Sequence, residues 1–286
     1  MPQHFPPPAR VIRSILETAL AEDLGASGDI TTQLLVPPDL GCRARLISRV
    51  PGVLSGGVLL QPLFSALDPA VQVTLCLEDG GQLEAGACIA LIEGPAAAVL
   101  TGERVALNLT ARLSGIATLT RAYVERAGTG ARVADTRKTT PGLRALERYA
   151  VRCGGAFNHR FSLADGILIK DNHLAICGGL AEAVRRARAR APHPMRVEVE
   201  VETVEQAREA CAAGADILLL DNMSCEQMRL AASELGTRAI LEASGGINLK
   251  TVAEVAATGV HYLSVGALTH GAKSLDLSLE MEAAKP

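Results

Sequence analysis

The segment from Asp135 to His173 gathers the basic side chains that could do chemistry. Its sequence is DTRKTTPGLRALERYAVRCGGAFNHRFSLADGILIKDNH. The chain holds five lysines against 23 arginines, and two of the lysines, Lys138 and Lys170, fall here. An ammonium group is a compact point charge suited to phosphate or to covalent chemistry, and arginine does not replace it well. Because like charges repel unless an anion compensates them, this segment predicts a pocket for a ligand with several negative charges.

The basic residues of this segment divide into two groups by position. Arg144, Arg148 and Arg152 recur at every fourth residue of a helical stretch, a spacing that favours structural ion pairing. The remaining residues follow predicted strands or lie in loops, where their side chains can converge. They are Arg137, Lys138, His159, Arg160 and Lys170. Arginine offers a planar fork for carboxylate or phosphate, so this second group is the candidate anion site.

Two acidic residues end neighbouring β-like runs. Glu200 lies in VEVEVE and Asp221 follows ILLL. Side chains alternate along a strand, so Glu198, Glu200 and Glu202 share one face, and inside a barrel they would need cations or hydroxyls as partners. Pairing with the basic group alone is one interpretation. The other is recognition of ribose hydroxyls and Mg²⁺, which favours one or two carboxylates together with substrate phosphates.

Glycine-rich turns close the last two β-like runs, and backbone N–H groups in such turns can bind phosphate. They are Ser244, Gly245, Gly246 and Val265, Gly266, Ala267. His270 follows the second turn and is a further candidate for the site. Arg104, on a long helical segment far upstream, would by itself be interpreted as one half of an intrahelical ion pair.

The pattern of the chain predicts the elements that position these groups. Residues 11–24 have helical apolar spacing and stop at Gly25, whereas residues 42–50, 71–77 and 88–92 are β-like. A helix is expected over residues 58–67. A long helical segment covers residues 96–126, with interruptions expected at Gly102 and Gly115.

From residue 132 onward six β-like runs alternate with helical stretches, which is typical of a parallel sheet. They cover residues 132–135, 167–170, 197–201, 217–220, 239–243 and 262–265. Charged residues at the carboxyl ends of such strands favour an irregular, incomplete α/β barrel. We therefore expect an α/β protein with a small N-terminal α+β domain (residues 1–103, to which a tail of residues 272–286 returns) and a barrel domain (residues 104–271).

Composition excludes several classes of function. The net charge is −3, tryptophan is absent and aromatic residues make up 2%, so we expect no nucleic-acid partner. No window approaches 18 uninterrupted apolar residues, so we expect no membrane partner. Seven scattered cysteines without a CxxC motif, and an N-terminus unlike a signal peptide, indicate a cytoplasmic protein. Cys153 is interpreted as a core residue rather than a nucleophile.

These motifs together, in this order, resemble the quinolinate phosphoribosyltransferase family. The resemblance rests on DTRKTTPGLRALERYAVRCGGAFNHR, ILIKDNH, VEVEVET, ILLLDN, LEASGG and YLSVGALTH, supported by GERVALNLTARLSGIATLT and GDITT. It implies the type II phosphoribosyltransferase fold: an N-terminal α/β sandwich followed by an irregular barrel. It implies transfer of phosphoribose from phosphoribosyl pyrophosphate to quinolinate, with loss of CO₂ and with Mg²⁺ as cofactor.

The resemblance also implies roles for the candidate residues. The quinolinate carboxylates would bind Arg137, His159, Arg160 and Lys170, while Lys138 would serve the same pocket or the pyrophosphate. Glu200 and Asp221 would bind ribose hydroxyls and the metal, directly or through water. The catalytic set is then Lys138, Lys170, Glu200 and Asp221. The full substrate-binding set adds the two phosphate-binding turns, Thr136, His270 and Arg104.

Arg104 would be donated by a neighbouring subunit, which implies a homodimer or higher homo-oligomer. One departure from the family pattern is SGG at residues 244–246, where some members carry SGN; contacts through the backbone should tolerate it.

Three other functions remain open on the sequence alone. The protein could be a related phosphoribosyltransferase that acts on nicotinate or belongs to molybdate-linked metabolism. Four cations, however, suit a ring with two carboxylates better than a ring with one carboxylate. Lys170, at a strand end, could form a Schiff base in an aldolase-like barrel. A non-enzymatic metabolite-binding protein could have kept the pocket, but retention of the acidic pair beside the cations favours an enzyme.

Overall fold

The computed structural model describes residues 5–283 of the chain. Its contacts define two compact units. The first unit comprises the described residues up to Arg121, then Thr139–Gly155, and the described residues from Thr269 onward. The second unit comprises Ala122–Lys138 and Ala156–Leu268. The domain boundaries expected at 103/104 and 271/272 stay a prediction.

The first unit is built on a four-stranded antiparallel sheet with the order β12-β1-β5-β3. In β1, buried Cys42, Ala44 and Leu46 alternate with exposed Arg43 and Arg45, so one face of this strand packs against the core. The strands of this unit are β1 (Gly41–Ser48), β2 (Gly52–Val53), β3 (Gln72–Leu75), β4 (Gln82–Leu83), β5 (Cys88–Pro95) and β12 (Leu277–Ala283). Its helices before β5 are α1 (Ala9–Leu24), α2 (Ile30–Leu35), a 3₁₀ turn (Gly57–Leu59) and α3 (Leu60–Leu67).

The long helix α4 runs from Ala96 to Ala127 without a break, so the interruptions expected at Gly102 and Gly115 are wrong. A Cβ at Gly102 would lie 2.6 Å from the Phe64 ring, and one at Gly115 would collide with the backbone oxygen of Lys273. These glycines therefore allow close packing against the helix. Their helix propensity cost, about 1 kcal/mol each, is offset by that packing.

The second unit contains a six-stranded, wholly parallel sheet with the order β6-β11-β10-β9-β8-β7. Each of the six predicted runs forms one of its strands. They are β6 (Arg132–Ala134), β7 (Ile167–Ile169), β8 (Val197–Val201), β9 (Ile217–Asp221), β10 (Ile240–Ser244) and β11 (Tyr262–Ser264). The remaining helices of the chain are α5 (Arg144–Cys153), α6 (Asp171–Cys177), α7 (Leu180–Arg190), α8 (Val204–Ala212), α9 (Cys225–Leu235), α10 (Val252–Ala256) and α11 (Ala267–His270).

The parallel sheet does not close on itself within residues 5–283, since its edge strands β6 and β7 do not pair with each other. Beside β6 lies Phe157, which bridges Ala134 in parallel, donates its N–H to Val133 and accepts the N–H of Asp135. The predicted α/β class with an incomplete parallel arrangement is therefore confirmed. None of the helices in the described range combines the length and the apolar character needed to cross a bilayer.

Candidate active site

The six parallel strands place polar residues at one edge of the sheet, because the carboxyl ends of parallel strands lie together. Asp135–Lys138 follow β6, and Lys170 follows β7. Glu200 is the fourth residue of β8, and Asp221 is the last of β9. The glycine turns at 244–246 and 265–267 end β10 and β11.

Lys170 and Glu200 form an ion pair at this edge. Ile169 lies opposite Val199 in the register, so the next residues along each strand face each other. The Lys170 Nζ donates to the Glu200 Oε2, with the lysine side chain 46% exposed and the glutamate 16%. The Lys170 N–H also donates to the His173 Nδ1 at 2.9 Å, and His173 donates its own N–H back to the Lys170 oxygen at 2.8 Å. This capping of α6 holds the lysine backbone in place.

The acidic pair faces one side of the sheet. Glu200 lies opposite Leu219 in the register, and Asp221 is two residues further along β9. Since side chains alternate along a strand, Glu200 and Asp221 project from the same face. Both are partly buried near a strand end, and Mg²⁺ prefers one or two carboxylates completed by phosphate oxygens and water. The donor set therefore fits the expected ion.

The turn after β10 requires glycine at position 245. Gly245 has φ of +92°, and a Cβ there would collide with the side-chain oxygen of Asn222. Asn222 itself has φ of +53° and donates its N–H to the Ser244 oxygen at 2.9 Å. The second turn differs, because the N–H of Val265 donates to the Ala134 oxygen at 2.9 Å. That N–H is therefore engaged in the sheet.

A second set of cations lies beside β6. Asp135 is fully buried and accepts the His159 N–H at 2.7 Å and the Asn158 Nδ2–H at 2.6 Å. The Asp135 carboxylate thus links the segment that carries Arg137 to the segment that carries His159 and Arg160. Burial lowers the pKa of the Arg160 guanidinium, and the nearby charge of Arg137 lowers it further. Two arginines that repel each other are a natural site for an anion.

His159 also contacts two buried carboxylates of the parallel sheet. Its Nε2 lies 3.3 Å from the Glu198 Oε1 and 3.3 Å from the Glu242 Oε1. Ser264 donates its Oγ–H to the same oxygen of Glu242. His159, Glu198 and Glu242 line a cavity of 440 Å³ together with Arg160 and with the first residues of several strands. Glu198, Glu242 and Ser264 are all buried, so this polar network is enclosed.

The protonation of His159 follows from its two nitrogens. Burial alone would lower the pKa of the imidazole, whereas hydrogen bonding and charge from Glu198 and Glu242 raise it to about 10. However, Nδ1 accepts the Arg160 N–H at 2.7 Å, and an imidazolium would have to give up that bond. That hydrogen bond keeps Nδ1 unprotonated, because a protonated nitrogen cannot accept. The proton then sits on Nε2 and faces the carboxylates.

This tautomer bears on metal binding inside the sheet. His159, Glu198 and Glu242 offer three ligand atoms within 4.8 Å of one another. A metal needs the lone pair of Nε2, which in this tautomer carries the proton. The trio is therefore satisfied by hydrogen bonding in this tautomer.

The sequence-predicted residues fall into connected and unconnected groups. Lys170 pairs with Glu200, Arg137 lies near Arg160, and Asp221 is registered beside Ser244. Thr136 accepts the Lys138 N–H at 3.1 Å, with Lys138 exposed. Arg104 and His270 belong to the first unit and are both exposed there.

Arg104 forms no ion pair with any residue in the described range, so the intrahelical pair suggested by its position is not formed. Cys153 is fully buried, and burial raises the pKa of its thiol to about 12, as expected for a core cysteine.

Three polar residues of the site had no role on the sequence alone: Asp135, Glu242 and Ser264. Glu242 interrupts the apolar run AILEA two residues before Ser244, on the same face of β10. A charged residue inside a buried parallel strand needs a polar or charged partner. Glu242 could therefore have been recognised from the sequence as part of a buried polar contact. The partner, His159, lies 83 residues away in the sequence and could not be named without the fold.

The fold and site define an α/β protein whose incomplete parallel barrel carries cations and a carboxylate pair at its carboxyl edge, as in enzymes that handle phosphorylated anions. The family model for the quinolinate phosphoribosyl transferase C-terminal domain matches residues 116–280, and that for the N-terminal domain matches residues 29–114. The chain therefore belongs to the quinolinate phosphoribosyltransferase family.

Individual relatives agree with this assignment. The "Probable nicotinate-nucleotide pyrophosphorylase [carboxylating]" of Bacillus subtilis is 47% identical, over 94% of this chain and 93% of its own. The Mycobacterium leprae protein named "Nicotinate-nucleotide pyrophosphorylase [carboxylating]" is 43% identical, over 94% and 96%. The solved structure of NadC from Streptococcus pyogenes matches with a TM-score of 0.92 and 42% identity, over 96% and 97%.

Proposed function

We propose that this protein transfers the phosphoribosyl group of phosphoribosyl pyrophosphate to the ring nitrogen of quinolinate. Pyrophosphate and CO₂ leave, and nicotinate mononucleotide is formed, a step of de novo NAD biosynthesis. The observation that carries the proposal is the coverage by relatives with the carboxylating name, which spans 94–95% of the chain at 42–47% identity. The cation groups described above are the chemistry that such anionic substrates require.

The proposed roles are those that the family resemblance implies. Arg137, Arg160 and Lys170 would hold the two ring carboxylates, and Lys138 the same pocket or the pyrophosphate. The resemblance assigns His159 to the carboxylates as well. With the Nε2–H of His159 committed to Glu198 and Glu242, its part would be to fix the adjacent Arg160 through the Nδ1 bond. Thr136 and His270 would also contact substrate, as the resemblance implies.

The acidic pair and the glycine turns would serve the other substrate. Glu200 and Asp221 would bind the ribose hydroxyls and Mg²⁺, which when bound neutralises phosphate charge. The turn at 244–246 would bind phosphate through backbone N–H groups. At 265–267 the N–H of Val265 is engaged in the sheet, so phosphate contacts there would come from Gly266 and Ala267.

The phosphoribosyl transfer step requires no proton transfer by a residue of the chain. The attacking ring nitrogen carries no proton, so its bond to the anomeric carbon forms as the bond to pyrophosphate breaks, without a general base. The C2–carboxylate bond then breaks and CO₂ leaves, and the electron pair left on C2, beside the now cationic ring nitrogen, takes a proton from solvent water. Cations around the ring stabilise that charge and hold the reacting atoms in line.

The ion pair of Lys170 with Glu200 bears on which chemistry this lysine can perform. Glu200 holds its ammonium at the edge before substrate arrives. An ammonium kept in an ion pair is a poor nucleophile, so this contact favours anion binding over the Schiff-base chemistry of an aldolase.

Assembly and location are further parts of the proposal. Arg104 is exposed, on a helix whose neighbouring residues Val105, Ala106 and Leu107 are buried, and it has no ion-pair partner within residues 5–283. We propose that it completes the site of a neighbouring subunit in a homodimer or higher homo-oligomer. We also infer a cytoplasmic location from the scattered free cysteines.

The experiment that tests the function is incubation of the protein with quinolinate, phosphoribosyl pyrophosphate and Mg²⁺. We expect nicotinate mononucleotide, pyrophosphate and CO₂ in equal amounts. Replacement of quinolinate by nicotinate is the control and should give no product. Product from nicotinate without CO₂ would instead support the nicotinate phosphoribosyltransferase alternative, and no product from either ring would reject both.

A further inference from the structure

Two cysteines of the first unit lie side by side. Cys76 follows the end of β3, and Cys88 is the first residue of the neighbouring strand β5. Their Sγ atoms are 3.7 Å apart. Cys76 is exposed and Cys88 is partly exposed, and all seven cysteines of the chain are free thiols. No other thiol–thiol contact occurs within residues 5–283.

The backbone around the two thiols is already held in place. The Cys76 N–H donates to the Ile89 oxygen at 2.8 Å, next to the ladder that pairs Leu75 with Ala90. A disulfide has a sulfur–sulfur distance of about 2.05 Å, so the two atoms need to approach by roughly 1.7 Å. Rotation of exposed side chains can supply most of that movement.

We propose that Cys76 and Cys88 form a redox modification site, at which small-molecule disulfides such as oxidised glutathione convert the pair to an intramolecular disulfide. Cys76, the more exposed thiol, reacts first. Its thiolate attacks one sulfur of oxidised glutathione and releases a glutathione thiolate. The Cys88 thiolate then attacks the Cys76 sulfur and releases the second glutathione. Two protein thiols are oxidised, one glutathione disulfide is reduced, and the two glutathione thiolates take up the two protons.

The surroundings set the pH at which this exchange is fast. Burial raises the pKa of the Cys76 thiol, and the adjacent Cys88 raises it further, while Arg45 opposes them. The attacking species is the thiolate, so the rate should rise with pH well above neutrality.

The cross-link would tie down a segment with structural contacts of its own. Residues 77–87 contain β4 and Asp79. The carboxylate of Asp79 accepts the Tyr149 O–H at 2.8 Å and the Gly57 N–H at 2.8 Å. Closing this short loop restricts the unfolded chain, so the oxidised protein should melt roughly 5 °C higher than the reduced protein.

Tryptic cleavage makes the test direct, because residues 50–104 contain no lysine or arginine before Arg104 and hold Cys76 and Cys88 as their only cysteines. The full-length protein is treated with oxidised glutathione, alkylated and digested. We expect the 50–104 peptide to escape alkylation and to be lighter than its reduced form by two hydrogen atoms. A persistent glutathione adduct on Cys76, or a fully alkylated peptide, would overturn the proposal.

Two variants complete the design. Cys88→Ser should retain a glutathione adduct on Cys76 and lose the rise in melting temperature, whereas Cys177→Ser, at a partly exposed thiol of the second unit, should behave as the wild type. Retention of the rise in Cys88→Ser would also count against the pair. The readouts are independent of catalysis, so they stand or fall apart from the proposed enzymatic activity.

Discussion

We expect Asp135 to fix the segment that carries Arg137 against the segment that carries His159 and Arg160. Its replacement tests this role quantitatively. Asp135→Ala removes the acceptor for the His159 N–H and for the Asn158 Nδ2–H, at 2.7 Å and 2.6 Å. A hydrogen bond to a charged group contributes about 1.5–3 kcal/mol, so the loss of two should lower the free energy of unfolding by roughly 3–6 kcal/mol. Urea denaturation measures this directly.

The same variant should damage substrate binding selectively. His159 and Arg160 would lose their fixed distance from Arg137, so KM for quinolinate should rise at least ~10-fold, while KM for phosphoribosyl pyrophosphate changes less. Asp135→Asn keeps one oxygen acceptor and should show about half of each effect.

The matched control is Thr258→Val, in the same unit. It removes the buried hydrogen bond from the Thr258 Oγ1 to the Val255 oxygen at 2.7 Å, remote in sequence from the segments that carry Arg137 and His159. We expect a loss of about 1 kcal/mol in stability and an unchanged KM. If Asp135→Ala matched Thr258→Val in both stability and KM, the positioning role of Asp135 would be refuted.

Three further predictions concern single residues of the chain. Lys170→Met should lower kcat/KM for quinolinate by roughly 100-fold with little change in the urea midpoint, because the side chain is exposed; Arg185→Ala, at the exposed ion pair with Glu182, should leave turnover as it is. Cys153 should resist iodoacetamide in the native protein at pH 8 and react only after unfolding, since burial raises its pKa to about 12; rapid native labelling would contradict its assignment to the core. If Arg104 is donated across an interface, mixing inactive Arg104→Ala and Lys138→Ala subunits should restore about a quarter of wild-type activity, through one intact site per mixed dimer; no recovery after verified subunit exchange would place Arg104 in its own subunit's site.

The parallel sheet was predictable from the sequence because short β-like runs that end in polar or small residues alternate with helical stretches. The run from Ile217 to Leu220 before Asp221 shows the pattern most clearly. Glycine was a weaker guide. In α4, Gly102 and Gly115 carry packing contacts with Phe64 and Lys273, and such tertiary contacts are invisible to a local pattern.

The candidate site was predictable as a set of charges but not as a network. Residue type and strand-end position suggested Lys170 and Glu200, and their pairing follows from the strand register. The links from Asp135 to His159 and from His159 to Glu242 span 24 and 83 residues. Such links depend on the order of strands in the sheet, which periodicity alone does not specify.

The central claim is that cations from separate strand ends recognise a ring with two carboxylates. The most direct measurement is kcat/KM for quinolinate and for nicotinate, in the wild type and in Arg160→Ala. The account predicts that the wild type favours quinolinate by at least ~100-fold and that Arg160→Ala loses most of this preference. Equal use of both rings by the wild type, or an unchanged preference in Arg160→Ala, would contradict it.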